Sequence, residues 1–335
     1  MALLLACNGG RDPGTDEFDD EGIEEGLDSG ASESTGDEGV TTVKFDEPNE
    51  GEGSGTATSG DQMEEGCKKV DLLFVIDNSG SMEDEQVNLV NSFPSFIDEI
   101  QVQLAETDGY HVGVISTDLY EFNDGCLQEG AMITATGGTG ASNMTCSPFA
   151  EGHSYMTELD DLDVAFSCAA QIGIAGDGNE RGMQTMQAAL SPGMNAPGGC
   201  NEGFLRDDAL LVIVLITDEE DDHEVDGCAQ LPQPGSNGEP PGWFAGVVAA
   251  KAGVESNIVV LSLIGPPGPD PAVCPTLDKC AGGILGAEIS NRITQFTSMF
   301  THGFIGRVCE PSYASFFQEA VAVIKSACDD FVPIG

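Results

Sequence analysis

The run LLVIVLI, residues 210–216, is apolar at every position and stops at Thr217-Asp218. A strand that is apolar on both sides of its pleat has to be covered on both faces. "VDLLFVI" (70–76) repeats the pattern and stops at Asp77. "YHVGVIST" (110–117), "NIVVLSLIG" (257–265) and "HGFIGRV" (302–308) read as further strands, and "AMITAT" (131–136) as a shorter one. Helical periodicity fills the gaps. After Asp77, the acids Glu83, Asp84 and Glu85 suit the positive end of a helix dipole. That helix carries apolar positions at Val87, Val90, Phe93, Phe96, Ile97 and Ile100, with a kink expected at Pro94. Further helical patterns lie near 160–171, 181–191, 243–253, 287–300 and 312–328. Strands alternating with helices predict an α/β class in three α-β-α layers, with a mostly parallel central sheet and helices on both faces.

Charge limits the partners. The formal net charge is -47, and a field of that sign repels nucleic acid and bare anionic membrane. Positions 1–66 hold 19 acidic residues against Arg11 and Lys44, so 39 acidic residues fall in the remainder and the excess is not a tail effect. Residues 8–66 are rich in Gly, Ser, Thr, Asp and Glu and have little apolar surface to offset ordering entropy. They read as an acidic, disordered tether. Before it, Leu4-Leu5-Ala6-Cys7 resembles a bacterial lipobox, in which the cysteine carries lipid. The apolar stretch is short and lacks a basic leader, so 1–7 reads as the truncated end of a lipoprotein signal, with the true start upstream of Met1. No later run has the ~18 apolar residues of a membrane span. Attachment to a membrane is expected only through lipidated Cys7, and the expected location is a bacterial cell envelope. Asn8 favours the outer membrane or surface.

The other ten cysteines are Cys67, Cys126, Cys146, Cys168, Cys200, Cys228, Cys274, Cys280, Cys309 and Cys328. An even set without any C-x-x-C pair, in a chain with scattered histidines, predicts disulfides over zinc. Cys126 with Cys146 would close one loop and Cys274 with Cys280 another. Cys168 and Cys200 flank the helix near 181–191, and Cys228 is left with Cys309. Two irregular stretches, 118–159 and 223–241, are expected as surface insertions pinned by such bridges.

The chemistry concentrates where the two strongest strands end. Asp77-Asn78-Ser79-Gly80-Ser81 presents a carboxylate and two hydroxyls at alternate positions, and Asp218 follows the second strand. In open α/β sheets ligands gather beyond the carboxyl ends of the strands. Oxygen donors without sulfur or imidazole suit a hard cation, Mg²⁺ or Ca²⁺. An EF-hand loop from Asp77 would need Gly and Glu where the chain has Met82 and Asn88. "HEVDG" at His223 lacks the second His of a zinc protease, and no P-loop or nucleophile elbow occurs. The chain is therefore not expected to be an enzyme. The acidic run after Asp218 (Glu219, Glu220, Asp221, Asp222) reads as a solvated loop.

"VDLLFVIDNSGSM" together with "VIVLITD" resembles the von Willebrand factor type A (VWA) domain over about 67–330, a Rossmann-like fold with a metal-ion-dependent adhesion site on a D-x-S-x-S motif. The resemblance implies Asp77, Ser79, Ser81 and Asp218 as metal ligands, direct or through water. The family's further ligand, a Thr before the third helix, falls in "GDGNERGM" (176–183), which has no Thr, so Glu180 or Asn179 would substitute. A carboxylate there would disfavour an acidic partner group or favour Ca²⁺. The resemblance also places the domain's two ends together, which implies Cys67–Cys328, or failing that Cys67–Cys309. Closing so long a loop stabilises by about 4–5 kcal/mol in the chain-entropy model. The implied function is metal-dependent binding of a protein that offers an Asp or Glu carboxylate to the ion. The alternatives are an envelope protein whose ion only stabilises the fold and a non-catalytic subunit of an enzyme complex.

Overall fold

A computed structural model describes residues 67–103, 107–177, 179–221, 235–266, 274–275, 277 and 286–334. Cys7, the tether 8–66, Cys228, Cys280 and Asp222 lie outside the described residues. So does most of the 223–241 stretch, and with it the pairing expected of Cys228.

The elements in chain order are β1 (Lys69–Ile76), α1 (Glu83–Gln103), β2 (Gly109–Ser116), β3 (Met156–Thr157), α2 (Leu162–Ala170), α3 (Gly182–Ala189), α4 (Pro192–Asn195), β4 (Leu210–Ile216), α5 (Pro240–Ala250), β5 (Ile258–Ile264), α6 (Asn291–Thr297), β6 (His302–Arg307) and α7 (Ala314–Asp329). They build one sheet of strand order β3-β2-β1-β4-β5-β6. All neighbouring strands are parallel except the edge pair β2–β3. The expected mixed α/β architecture is therefore present.

The pleat divides the core in two. From β1 and β4, Leu72, Phe74, Val212 and Val214 face α1, α2 and α7, where they meet Phe93, Phe96, Phe166 and Phe317. The alternate residues, Leu73, Val75, Leu211, Ile213 and Leu215, face α3, α5 and α6 and meet Met183, Met186, Trp243 and Phe296. This is the physical reason the central strands are apolar without interruption: each face has its own helical layer to bury against.

Several expectations are corrected. "AMITAT" is not a sheet strand. Ile133 N–H donates to Val114 O at 2.8 Å, and Ala135 forms an isolated bridge to Thr145, but the segment joins no ladder. The edge position goes to Met156–Thr157. In α1, Val87 is solvent-exposed and Leu89 is the buried neighbour, because Leu89 rather than Val87 shares a face with Phe93 and Phe96. Segment 118–159 is more than a surface insertion: Met132, Ile133, Phe149 and Tyr155 are buried in the two cores.

Four disulfides lie among the described residues: Cys67–Cys328, Cys126–Cys200, Cys146–Cys168 and Cys274–Cys309. The first is as expected. Cys126 does not pair with Cys146, and Cys274 does not pair with Cys280. Instead Cys146 reaches the end of α2 and Cys126 the segment after α4, so each bridge ties the 118–159 segment to the body. Cys274–Cys309 takes up the cysteine left for Cys228.

Beneath the strand starts, Asp71 is fully buried and held by Arg206, whose Nε and backbone N–H each donate to its carboxylate at 2.7 Å. Lys251, also buried, donates to the Arg206 and Asp207 carbonyls. Burial still raises Asp71 to about 6, against the lowering pull of Arg206.

Candidate metal centre

Strand order fixes where a site can form. From β1 the chain moves to β2 on one side, and from β2 it returns to β4 on the other. The connections diverge between β1 and β4, the crevice that open α/β sheets use for ligands. Ile76 pairs with Ile216 at that edge. Asp77 and Thr217-Asp218 are therefore the first residues past the last shared rung.

Asp77 is fully buried. Its Oδ1 accepts the Ser79 N–H at 2.7 Å, and its Oδ2 accepts the Thr217 hydroxyl at 2.6 Å. Gln86 of α1 donates to the Asp77 carbonyl at 2.9 Å, which locks the turn to the helix that follows it. Within the turn the Ser79 and Ser81 hydroxyls are 3.2 Å apart, both on buried residues. The alternation in Asp77-x-Ser79-x-Ser81 thus gathers three oxygen-bearing side chains in one place, as the sequence led us to expect. Asp218 is buried at the end of β4 and lies within electrostatic reach of Glu85.

Glu180 is 5 % exposed, and neither carboxylate oxygen has a hydrogen-bond partner. Burial raises its pKa well above the usual carboxylate value, and the nearby charge of Asp77 raises it further. The Thr117 hydroxyl at the end of β2 lies near enough to favour the ionised form, without a well-formed hydrogen bond. Asp77 is likewise raised, by burial first, while Thr217 and Ser79 act in the opposite direction. Asn179, the other candidate substitute for the missing Thr, is turned away: its Oδ1 accepts the Gly235 N–H at 2.9 Å. Of the two, Glu180 is the one on which the charge of Asp77 acts.

The described part of the acidic run after Asp218, Glu219 to Asp221, is not a solvated loop. Glu219, Glu220 and Asp221 are all buried. Glu220 accepts the Arg292 N–H at 2.7 Å at the start of α6. Asp221 accepts the Met183 N–H at 2.8 Å near the start of α3, and both the N–H and the hydroxyl of Ser236 at 2.6 Å. These carboxylates serve as caps for helix ends that the sheet layer buries.

Thr217 and Thr117 were not singled out in the sequence. Thr217 carried a signal, since a β-branched hydroxyl directly before the strand-end Asp is placed to bond its neighbour strand's carboxylate. Thr217→Val keeps the shape and removes the donor. Leaving the buried Asp77 Oδ2 without it is expected to cost about 1–3 kcal/mol in denaturant unfolding. Unchanged stability would refute that role.

No protein-family model matches the chain, and no curated protein does either. Among solved structures, the chain is similar to proximal thread matrix protein 1 from the mussel byssus, at 13% identity and TM-score 0.37, over 77% of this chain and 49% of that one. It therefore spans about half the length of the mussel protein. It is also similar to manganese-loaded Plasmodium vivax TRAP protein, at 13% identity and TM-score 0.36, over 79% of this chain and 76% of that one. The architecture stands on the strand order and register themselves.

Proposed function

We propose that the described domain is a divalent-cation-dependent protein-binding module of VWA type. Asp77, Ser79, Ser81, Asp218 and Glu180 hold Mg²⁺ or Ca²⁺, and the ion receives an Asp or Glu carboxylate from a protein partner. One observation carries the reading. A buried Glu180 carboxylate without hydrogen bonds lies within electrostatic reach of buried Asp77 at the sheet's switch point, and Asp77 heads the turn in which two serine hydroxyls converge. Buried like charges with no bonded cation are strongly unfavourable, and a hard ion with oxygen ligands relieves that. When bound, the ion would supply one strong positive centre on an otherwise acidic surface. The chain's own part is to fix the donors: Thr217 and Gln86 orient Asp77, and the turn sets the serine spacing.

The burial of Glu180 and Ser81 also favours a second reading, in which the ion only stabilises the fold. Calorimetric titration with Ca²⁺ and Mg²⁺ tests the site itself. Glu180→Gln is expected to weaken binding at least tenfold, with loss of a charged ligand worth about 1.4 kcal/mol or more. If the variant binds as wild type, Glu180 is not a ligand. Capture of partners from envelope extracts, with and without EDTA, separates the two readings: in the first EDTA abolishes capture, and in the second it lowers only the melting midpoint.

We also propose that lipidated Cys7 anchors the domain to a bacterial envelope through the acidic tether. Loss of membrane fractionation in Cys7→Ser supports this, and unchanged fractionation rejects it.

A further inference from the structure

Beside the candidate metal centre lies a cleft of about 430 Å³ at the end of β2, continuous with the Asp77 turn through Asn78. Asp118, Glu121 and Asp177 line it, together with the apolar Leu119 and Phe122 and one cation, Arg181. Arg181 is engaged through its Nη1, at 2.7 Å from Glu129, while its buried Nε has no hydrogen-bond partner. Leu119 and Phe122 are 41% and 43% exposed. An apolar floor with Glu121 and Asp177 exposed at its rim, and Asp118 buried behind them, is thus open to solvent next to the place where a partner would meet the ion.

The cleft is held in shape. The Tyr120 hydroxyl donates to Ile172 O at 2.6 Å and accepts the Gly137 N–H at 3.2 Å. A Cβ on Gly137 would come within 2.6 Å of the Phe122 ring, so the glycine lets that ring lie against the backbone. On the other wall the Asp177 N–H donates to the Asp118 carboxylate at 2.9 Å. Asp118 also accepts the Ser116 hydroxyl at 2.8 Å. Two separate segments, 118–122 and 175–177, are therefore locked together at the rim.

The geometry points to this cleft as the seat of a basic side chain, Lys or Arg, on the same protein segment that reaches the ion. An aliphatic stem would lie over Leu119 and Phe122 while its cationic head meets Glu121 and Asp177, with the charge of buried Asp118 behind them. Charge complementarity selects this occupant, because an acidic segment would meet the exposed carboxylates of Glu121 and Asp177 beside an arginine whose Nη1 already holds Glu129. The inference rests on the proposed metal-dependent binding for the neighbouring contact. It adds the chemical class of the partner: a segment with a basic residue close to its coordinating acid.

Two short fluorescent peptides of equal length test it on the full chain, each with one central aspartate, one flanked by lysine and leucine and the other by glutamate and leucine. Binding is read by polarisation in Ca²⁺ and in EDTA. The basic peptide is expected to bind, and Glu121→Gln with Asp177→Asn to weaken it at least fivefold, as for exposed ion pairs of about 1 kcal/mol. Phe122→Ala is expected to weaken it too. A charge-matched control on the helices, Glu99→Gln with Glu319→Gln, is expected to leave it unchanged, which removes the general attraction of an acidic protein for cations. Equal loss in rim and control variants overturns the cleft, as does preference for the glutamate peptide. If the rim variants matter but EDTA does not, the metal reading fails and the cleft stands. If EDTA matters and the rim variants do not, the cleft fails and the metal reading stands.

Discussion

Without divalent cations, the melting midpoint is expected to rise as pH falls from 8 to 6.5, by about 5 °C for each group that takes up its proton only in the native state. Acidification usually destabilises proteins, and the reversal follows from where this chain keeps its carboxylates. Burial raises Glu85 to about 9, with Asp84 and Asp218 adding to it, and raises Glu180 well above the usual range. A carboxylate with a raised native pKa holds its proton more tightly folded than unfolded. Its stabilisation is complete below the unfolded value, near 4.5, and is lost as pH rises through the native value. For Glu85 that window runs from about 4.5 to about 9. Two groups work the other way. Lys251 is lowered by burial and costs stability as pH falls below its unfolded value, and His111, lowered to about 4, does so below about 6.5. Comparison with Glu85→Gln, which keeps both groups, isolates the acid. Saturating Ca²⁺ should remove the share of Glu180 from the slope, because the ion requires ionised ligands and competes with protons for them, and should leave the share of Glu85, which is not among the proposed ligands. Thermal melts across that interval, with EDTA and with Ca²⁺, decide it, and Glu85→Gln should flatten the metal-free slope. A metal-free midpoint that falls on acidification would show that these carboxylates are ionised and compensated by other means.

The second large effect concerns the Cys67–Cys328 bridge, which closes a loop with a sequence separation of 261 residues. Replacing both cysteines by serine is expected to cost about 5 kcal/mol, since the longest closed loop of the denatured chain is opened. The Cys146–Cys168 bridge spans 22 residues, and its removal is expected to cost about 3 kcal/mol by the same relation. Denaturant unfolding of the two double variants tests the order as well as the size. Equal losses would mean that the bridges act through the native state's packing and not through chain entropy.

How much of this was legible in the sequence depended on how local the cause was. LLVIVLI and VDLLFVI announced central strands because seven buried positions in a row have few other uses. Asp77, Ser79 and Ser81 announced a candidate site because alternation in a turn is a local geometry. Glu180 was only half legible. The resemblance offered residues 179 and 180 as alternatives, and what separates them is the Gly235 N–H bonded to Asn179, 56 residues away. The disulfides show the same limit. Cys146 and Cys126 are close in sequence, yet each reaches a different helical neighbour, because the segment between them runs into the core and not around it. The acidic run misled for a related reason. Glu220 and Asp221 look solvated until α3 and α6 bring their unbonded N–H groups down upon them.

The bridged ends and the candidate metal centre occupy opposite ends of one strand. Cys67 precedes β1 by two residues and Asp77 follows it by one. β1 is clamped along its length by β2 on one side and by β4 on the other. Tension applied between those two points would run lengthwise down the middle of the sheet. To yield, the strand would have to shear both parallel ladders at once, since the Cys67–Cys328 cross-link passes part of the load to α7 before any rung can peel.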